Sequence, residues 1–231
     1  MDYLSEGFIT AFRILFSGQE ETYSAIFTTL KVSTFSIICT LAAGIPLGFL
    51  LGYYNFPGKR TCRAVVDTLL ALPTVVIGLL VYTFISRSGP LGDLGLLFSL
   101  TGIAIGQFIL ALPIVISLTA SATEQMENTV RLTLMTLGAS PSQLAASSLW
   151  ESRYAVLAAS MTAYSRIISE VGVSMMLGGN IKWHTRTITT AIALETGKGQ
   201  FAEGIALGVV LLGFAFAVNA VVSIARRRAS S

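Results

Sequence analysis

An ionisable pair lies inside an apolar stretch of this sequence. Arg166 and Glu170 are four residues apart within the run from Tyr154 to Leu177, so a helix would place them, with Ser169, on one face. A charged side chain inside a membrane helix costs about 2.5–3.5 kcal/mol on insertion scales, so it needs a partner or water. Two interpretations are open: an ion pair that fixes helix packing, or part of the wall of a pathway for an anion. A buried pair would neutralise much of the positive charge that attracts an anion.

A hydroxyl-rich segment follows this run. Gly178-Gly179-Asn180 predicts a break, and the segment after it contains Arg186 among several threonines. Backbone and hydroxyl donors can line a polar cavity where a segment re-enters the membrane, although an external gate or plug is the other interpretation. The residues that we expect in a translocation pathway or gate are Arg166, Ser169, Glu170, Asn180, Thr185, Thr187 and Thr189.

Other chemistry finds little support in the sequence. Gly197-Lys198-Gly199 is not a phosphate loop, because Lys198 is followed by glycine rather than by Ser or Thr. His184 is the single histidine, and neither a metal-ligand cluster nor a nucleophile elbow is present. We therefore expect no catalytic residue, no metal site and no cofactor in this chain. A net charge of +3, spread between apolar runs, also argues against nucleic-acid binding.

The elements that position these residues are membrane helices. Of the 231 residues, 53% are apolar and only 12% are charged, which excludes an ordinary soluble domain. A helix needs roughly 20 apolar residues to cross a hydrocarbon core about 30 Å thick, and alternating β-barrel segments are absent from the sequence. We expect an all-α integral membrane fold of about five transmembrane helices, at approximately Val32–Tyr54, Ala64–Ile85, Leu96–Ala122, Tyr154–Leu177 and Gly204–Ala225.

Charge distribution predicts the orientation of the bundle. The Lys59-Arg60-Arg63 cluster and the basic tail 226–231 fall on the same side if five spans cross, and positive clusters mark the cytoplasmic side. We therefore expect a multi-pass protein of a prokaryotic cytoplasmic membrane, with its N-terminus outside and its C-terminus in the cytoplasm. Residues 1–23 are predicted to form an amphipathic interfacial segment, in contact with lipid or packed on the bundle, ahead of a single transmembrane domain over 24–225.

Glycines and prolines mark positions of close packing and bending. Gly44, Gly48 and Gly52 recur at four-residue spacing, which favours a close helix contact, either within the chain or between subunits. Pro46, Pro73 and Pro113 lie inside predicted spans and are expected to kink them.

A long loop, at about 124–153, separates the third and fourth predicted spans. Gly138 is placed to end one helix, and Ser140-Pro141-Ser142-Gln143 combines an N-cap hydroxyl, a first-turn proline and a glutamine at the third position. These signals predict a helix, a sharp break and a short second helix on the cytoplasmic face. An amphipathic hairpin that merely covers the bundle is the alternative.

This loop resembles the glycine-centred cytoplasmic loop of ABC importer permeases. Thr136-Leu137-Gly138-Ala139-Ser140 carries the similarity, although Leu132-Thr133-Leu134 stands where that family usually has Glu-Ala-Ala. The resemblance implies a coupling helix that docks into a groove on an ATPase subunit. The residues to which it assigns this contact are Leu137, Gly138, Ala139, Ser140, Pro141, Gln143 and Leu144.

A second resemblance covers most of residues 30–225 and is most specific near the fourth span. Ile168-Ser169-Glu170-Val171-Gly172, Gly178-Gly179-Asn180-Ile181 and the run 189–195 are similar to permeases for tungstate and molybdate, with the tungstate branch the closer. It implies a homodimeric permease that receives its oxyanion from an extracytoplasmic binding protein. It also implies two copies of a partner ATPase, which would bind the ATP and Mg²⁺. The identity of the oxyanion, tungstate, molybdate or sulfate, stays open at this point.

A self-sufficient secondary transporter is the competing hypothesis. Glu170 would then serve as a proton or ion site inside the membrane. Such a transporter does not require a long capped cytoplasmic loop, and its two halves usually carry matching broken helices, which the sequence does not indicate. These two features favour the ATP-driven permease.

Overall fold

The computed structural model describes residues 9–10, 13, 20–125 and 133–229. Within these ranges the regular structure is helical, as the all-α prediction requires. The helices are α1 (Glu20–Tyr53), α2 (Lys59–Leu70), α3 (Thr74–Ile85), α4 (Leu100–Glu124), α5 (Pro141–Glu151), α6 (Arg153–Ile168), α7 (Gly172–Gly178), α8 (Ile188–Gly197) and α9 (Phe201–Ala229), with a 3-10 turn at Gly92–Leu94.

Parts of three predicted segments lie outside the described residues. Of the interfacial segment 1–23, residues 9, 10 and 13 are helical and 20–23 belong to α1, so the expected boundary at residue 23 falls inside that helix. Residues 126–132 of the predicted cytoplasmic loop are not described, nor are the last two residues of the tail. Residues 226–229 of the tail continue α9.

Helices α1 and α4 are long and apolar enough to cross a membrane. The 34 residues of α1 would extend for about 50 Å, well beyond a hydrocarbon core of about 30 Å, so its ends project into more polar surroundings. Glu20 and Glu21 lie in its first turn, where negative charge is favourable to the helix dipole. The helix therefore starts well before the expected first residue, Val32.

The glycine stripe of α1 packs against α4. A Cβ atom at Gly48 would lie 2.7 Å from the carbonyl oxygen of Ile116, and one at Gly52 would lie 2.6 Å from that of Ala120. Both distances are too short for a carbon atom against the backbone. Of the two interpretations of this stripe, the contact within the chain is confirmed.

The second predicted span is not one helix. Helices α2 and α3 meet at an angle of 100°, so the kink expected at Pro73 within the span 64–85 is a complete break between two helices. Pro73 has extended backbone angles and no N–H group to continue α2, and a residue before a proline disfavours helical geometry. Pro73 thus ends a helix rather than kinking one. Pro46 and Pro113 lie inside helices that continue past them.

The fourth predicted span is also divided. Helix α6 ends at Ile168 and α7 begins at Gly172, so the expectation of a continuous helix through Glu170 is wrong. Among the described residues, helix length and composition give two spans, or three if the bent pair α2 and α3 counts as one. Helix α9 begins with the apolar stretch Phe201–Ala217. The count of five spans stays a prediction.

Helix α4 connects two of the buried apolar clusters. One cluster joins it to α3 and α7 through Leu110, Val81 and Leu177, which are all nearly inaccessible. Another joins it to α1 and α6 through Ala111 and Ile167. A third cluster packs α8 and α9 against the beginning of α1. The broken fourth span is therefore held between α3 and α4, and the segment after it is held by α1 and α9.

Candidate functional site

Glu170 lies at the junction between α6 and α7. Its side chain is 2% exposed, and its carboxylate accepts a hydrogen bond from Arg166 Nη1 at 2.8 Å. The other carboxylate oxygen accepts from the backbone N–H of Val173 at 3.2 Å, in the first turn of α7. One buried carboxylate thus pairs with the end of one helix and caps the start of the next. The predicted pairing of Arg166 with Glu170 is confirmed.

The two broken spans meet at their breaks. A Cβ atom at Gly172 would lie 3.3 Å from Thr74 Oγ1, in the first turn of α3, and 3.3 Å from Glu170 Oε1. Further along, a Cβ atom at Gly78 of α3 would lie 2.9 Å from the sulfur of Met176 in α7. The sequence did not indicate matching broken helices, and this counted against a secondary transporter. The structure does contain two broken spans, and they lie in contact. Broken helices that meet inside a membrane are a usual setting for a transport site.

The threonines of the hydroxyl-rich segment bond mainly to the protein itself. Thr185 donates to the Gly178 carbonyl and accepts from the backbone N–H of Ile181. Thr187 and Thr190 form a reciprocal capping box that begins α8. All three side chains are buried. Their hydroxyl groups therefore hold the backbone of the segment in its conformation. The expected place of these threonines in a translocation pathway stays a prediction.

Thr189 connects this segment to the Glu170 junction. Its hydroxyl donates to the Glu170 carbonyl at 2.9 Å and lies 2.9 Å from the hydroxyl of Thr187. Ser169 instead donates to the Arg166 carbonyl at 3.1 Å, which closes the last turn of α6. Of the predicted pathway residues, the structure brings together Arg166, Ser169, Glu170, Thr187 and Thr189.

Asn180 belongs to a different group. Gly179, Asn180 and Trp183 have positive φ angles, which fold residues 179–187 into a tight loop. The side-chain oxygen of Asn180 accepts from Arg186 Nε at 3.1 Å. Arg186 also pairs with Glu21, a residue of α1 that the sequence did not single out. This pairing joins the loop to the start of α1.

The capped helix of the long loop forms as predicted. Gly138 has φ +80°, and Ser140 begins α5 with a complete capping box. The Ser140 backbone N–H donates to Gln143 Oε1 at 2.8 Å, and the Gln143 backbone N–H donates to Ser140 Oγ at 3.4 Å. Pro141 occupies the first turn, where its missing N–H costs nothing. The local signals were therefore sufficient to locate this helix.

Helix α5 and the turn before it leave apolar side chains exposed. Leu144 is buried, whereas Leu137 is 78% exposed and Trp150 is 69% exposed. The Arg153 guanidinium lies 4.6 Å from the ring centroid of Trp150, at the corner where α5 turns into α6. Large exposed apolar groups on a capped helix are typical of a protein contact surface.

An ion-pair network between α2 and the end of α4 was missed. Arg63 bonds to Asp67 at 3.3 Å and pairs with Glu124 at 3.5 Å, and Lys59 pairs with Glu124 at 3.2 Å. Ser117 of α4 donates to Asp67 Oδ1 at 2.8 Å. Asp67 lies inside a predicted span, so the criterion that singled out Arg166 and Glu170 would have found it. The network holds the polar face of α2 against α4.

Comparison with known proteins identifies the class of this membrane protein. Residues 44–231 match the family described as the binding-protein-dependent transport system inner membrane component. The chain belongs to this family. Permeases of the family supply the membrane part of a transport system that depends on a binding protein, as the family description states. Membership of this family makes the chain a membrane component of a transport system.

Two relatives cover nearly the whole permease. The tungstate uptake system permease protein TupB of Campylobacter jejuni is 48% identical, with 95% of this chain and 92% of that protein covered. The protein of the same description from Peptoclostridium acidaminophilum is 39% identical, with 96% and 97% covered.

A solved structure shares the fold of the permease. It is the bacterial alginate ABC transporter in complex with an alginate pentasaccharide-bound periplasmic protein. Its matching chain has a TM-score of 0.74 at 18% identity, with 97% of this chain and 88% of that chain covered. At this identity the similarity establishes the fold of an ABC importer permease.

Proposed function

We propose that this chain is the membrane-spanning permease subunit of an ATP-driven tungstate importer. The observation that carries the proposal is the 48% identity to a tungstate uptake permease over 95% of this chain. The resemblance around Glu170 and residues 178–195 to the tungstate branch supports the same substrate. Molybdate is the closest alternative cargo.

Coupling to ATP hydrolysis is assigned to α5 and the turn before it. This segment, 137–144, combines the open Gly138 turn, a complete capping box and an exposed Leu137. A rigid capped helix that presents apolar side chains suits insertion into a groove on an ATPase. Movement of the ATPases would then pass through the corner at Arg153 into α6.

The broken spans are the proposed moving part of the pathway. The polar contacts at the junction are few: one carboxylate joins two helix ends, and one threonine hydroxyl bonds to the backbone between them. A change in the angle between α6 and α7 would exchange these bonds. Alternating access requires such a bistable element. Arg166, Ser169 and Glu170 are therefore assigned to the pathway or its gate, with Thr185, Thr187 and Thr189 holding the segment behind it.

The proposed assembly is a homodimer of this permease with two ATPase subunits inside and an oxyanion-binding protein outside. ATP and Mg²⁺ belong to the ATPase subunits, and the permease itself needs no cofactor. Its N-terminus lies outside and its C-terminus in the cytoplasm. The grouping of Glu21 with Lys182 and Arg186 at one end, and of Lys59 and Arg63 with Glu124 at the other, is consistent with this sidedness.

Metal accumulation in whole cells tests the substrate. Deletion of the gene should lower cellular tungsten, measured by mass spectrometry after growth in trace tungstate, and the wild-type gene should restore it. Cellular molybdenum should change much less. If deletion lowers molybdenum and leaves tungsten unchanged, the tungstate assignment is wrong and the permease carries molybdate.

A further inference from the structure

A charged cavity of about 680 Å³ lies beside the loop 179–187, away from the Glu170 junction. Its size is within the range of small-molecule sites, about 300–1,000 Å³. Four cationic and three acidic side chains line it, so positive charge is in excess. The cationic residues are Arg13, Lys182, Arg186 and Lys198.

Glu21 is shared by two of these cations. Its Oε2 lies 2.6 Å from Lys182 Nζ, and its Oε1 accepts a hydrogen bond from Arg186 Nη1. The carboxylate thus occupies a position between two positive charges and leaves one of them uncompensated. The side chain of Glu21 is 42% exposed, and it is a long, unbranched chain in the first turn of α1. It can therefore turn away into water without moving the helix.

Arg186 keeps its orientation without Glu21. Its Nε donates to Asn180 Oδ1 at 3.1 Å and its Nη2 donates to the Asn180 carbonyl at 3.4 Å. Its side chain is only 15% exposed. The guanidinium is therefore held by the loop itself, with the Nη1 group directed to the carboxylate of Glu21. A guanidinium held in one orientation is the preferred partner of oxyanions in proteins.

The remaining acidic groups of the cavity are already engaged. Glu195 accepts from Lys198 Nζ at 2.8 Å, and the side-chain amide of Gln200 lies between the carboxylates of Glu195 and Glu203. Within the part of the chain that the structure describes, neither carboxylate forms an ion pair with Lys182 or Arg186.

The loop stays attached to α1 when Glu21 leaves. The backbone N–H of Ile188 donates to Thr29 Oγ1 of α1 at 2.9 Å, in a buried contact two turns below Glu21. This bond fixes the start of α8 independently of the ion pairs. Exchange of the Glu21 carboxylate for another anion is thus a local event.

We propose that Lys182 and Arg186 form a binding site for a tetrahedral dianionic oxyanion, and that the Glu21 carboxylate is the internal anion that it displaces. A dianion would neutralise both cations, whereas Glu21 neutralises one. The site rests on the proposed function, because it names where an imported oxyanion first contacts the permease on its outer side.

Trp183 provides a direct probe of this site. Lys182 Nζ lies 5.2 Å from the centroid of its ring, so a change at Lys182 alters the surroundings of the indole. The chain has two tryptophans, and Trp150→Phe leaves Trp183 as the only one while keeping an aromatic ring beside Arg153. The full-length Trp150→Phe chain, in nanodiscs of zwitterionic lipid, is titrated with sodium tungstate against sodium chloride of equal ionic strength.

The expected result is a saturable change in Trp183 fluorescence with tungstate and none with chloride. Lys182→Gln and Arg186→Gln should abolish it. Glu21→Gln should tighten the apparent affinity by roughly two- to fivefold, the range expected when a partly exposed ion pair no longer competes. Lys198→Gln, which removes a cation of the same cavity paired with Glu195, is the matched control and should leave the affinity within about twofold.

Several results would overturn the site. The first is the absence of a saturable response to tungstate, and the second is a loss of affinity in Lys198→Gln as large as in Arg186→Gln. The third is weaker binding in Glu21→Gln, which would mean that Glu21 supports the bound anion rather than competing with it. A response to added phosphatidylglycerol but not to tungstate would assign the cations to a lipid headgroup instead. A response to sulfate alone would support the site and contradict tungstate as cargo. Normal tungsten uptake by Arg186→Gln cells would overturn the role of this site in import and leave the proposed function intact.

Discussion

Glu170 and Arg166 form an ion pair whose two members differ sharply in exposure. The Glu170 carboxylate is 2% exposed, whereas the Arg166 side chain is 41% exposed, at a separation of 2.8 Å. The carboxylate also caps α7, so it serves the fold in two ways. Substitution of Arg166 should therefore change the stability of the chain by a different amount than substitution of Glu170.

Arg166→Gln should be the more destabilising of the two single substitutions. It leaves a buried carboxylate without its cation, at a cost of about 2–3 kcal/mol. Glu170→Gln retains an acceptor for Val173 and releases an arginine that water can reach, so about 1 kcal/mol is expected. Thermal unfolding of the purified chain in detergent measures both, and the double variant should recover part of the Arg166→Gln loss. A larger loss in Glu170→Gln would contradict the assigned pairing.

Gly138→Asp should abolish transport and ATPase coupling while the protein remains inserted. No atom lies within 4 Å of a Cβ placed at Gly138, so the substitution causes no clash inside the chain. An aspartate at φ +80° strains the turn, so the effect beyond that of an equally strained control is assigned to the partner surface. The matched control is Gly95→Asp, which has the same open space and a positive φ in a loop at the opposite end. Uptake is measured with membrane insertion of each variant, and unchanged uptake in Gly138→Asp would remove the coupling role.

Gly48→Ala should lower the stability of the bundle by about 1–3 kcal/mol, because its methyl group would press on the backbone of α4. Gly208→Ala is the control, since a Cβ there meets nothing within 4 Å. It should change the unfolding temperature little in the isolated chain. Equal losses for the two variants would contradict the packing of α1 on α4. A loss in Gly208→Ala only in the assembled dimer would assign that glycine to the subunit contact.

Cys62 tests the orientation of the chain. This cysteine is exposed on α2, one turn from the Lys59 network. A membrane-impermeant maleimide should label it in inside-out vesicles and not in right-side-out vesicles. Asp93→Cys, in the loop between α3 and α4 and tested in a Cys62→Ser background, should give the opposite pattern. Labelling of Cys62 from the outer side would reverse the proposed topology.

The sequence correctly predicted the features that depend on contacts between neighbouring residues. The capping box at Ser140 and the turn at Gly138 depend on residues three positions apart or fewer, and both form as expected. The glycine spacing of α1 likewise predicted a close helix contact, although the partner helix required the structure. Such features depend on backbone geometry that neighbouring residues specify.

The breaks and the long-range pairs depend on tertiary contacts. No proline lies between Ile168 and Gly172, so hydropathy gave one continuous span there, and the break requires the approach of Gly172 to Thr74. Glu21 and Arg186 are 165 residues apart, a separation at which sequence spacing carries no information about pairing. The threonines after Asn180 were expected in a pathway or gate, and their bonds to the segment's own backbone could not be predicted from spacing.

Reconstituted transport tests the central claim most directly. The permease, its ATPase and its binding protein are combined in proteoliposomes, and tungstate uptake is followed with ATP supplied to the ATPase side. We predict uptake that requires all three components and ATP, and that Gly138→Asp abolishes. Tungstate uptake by the permease alone, driven by an imposed proton gradient and lost in Glu170→Gln, would contradict the account and identify a secondary transporter.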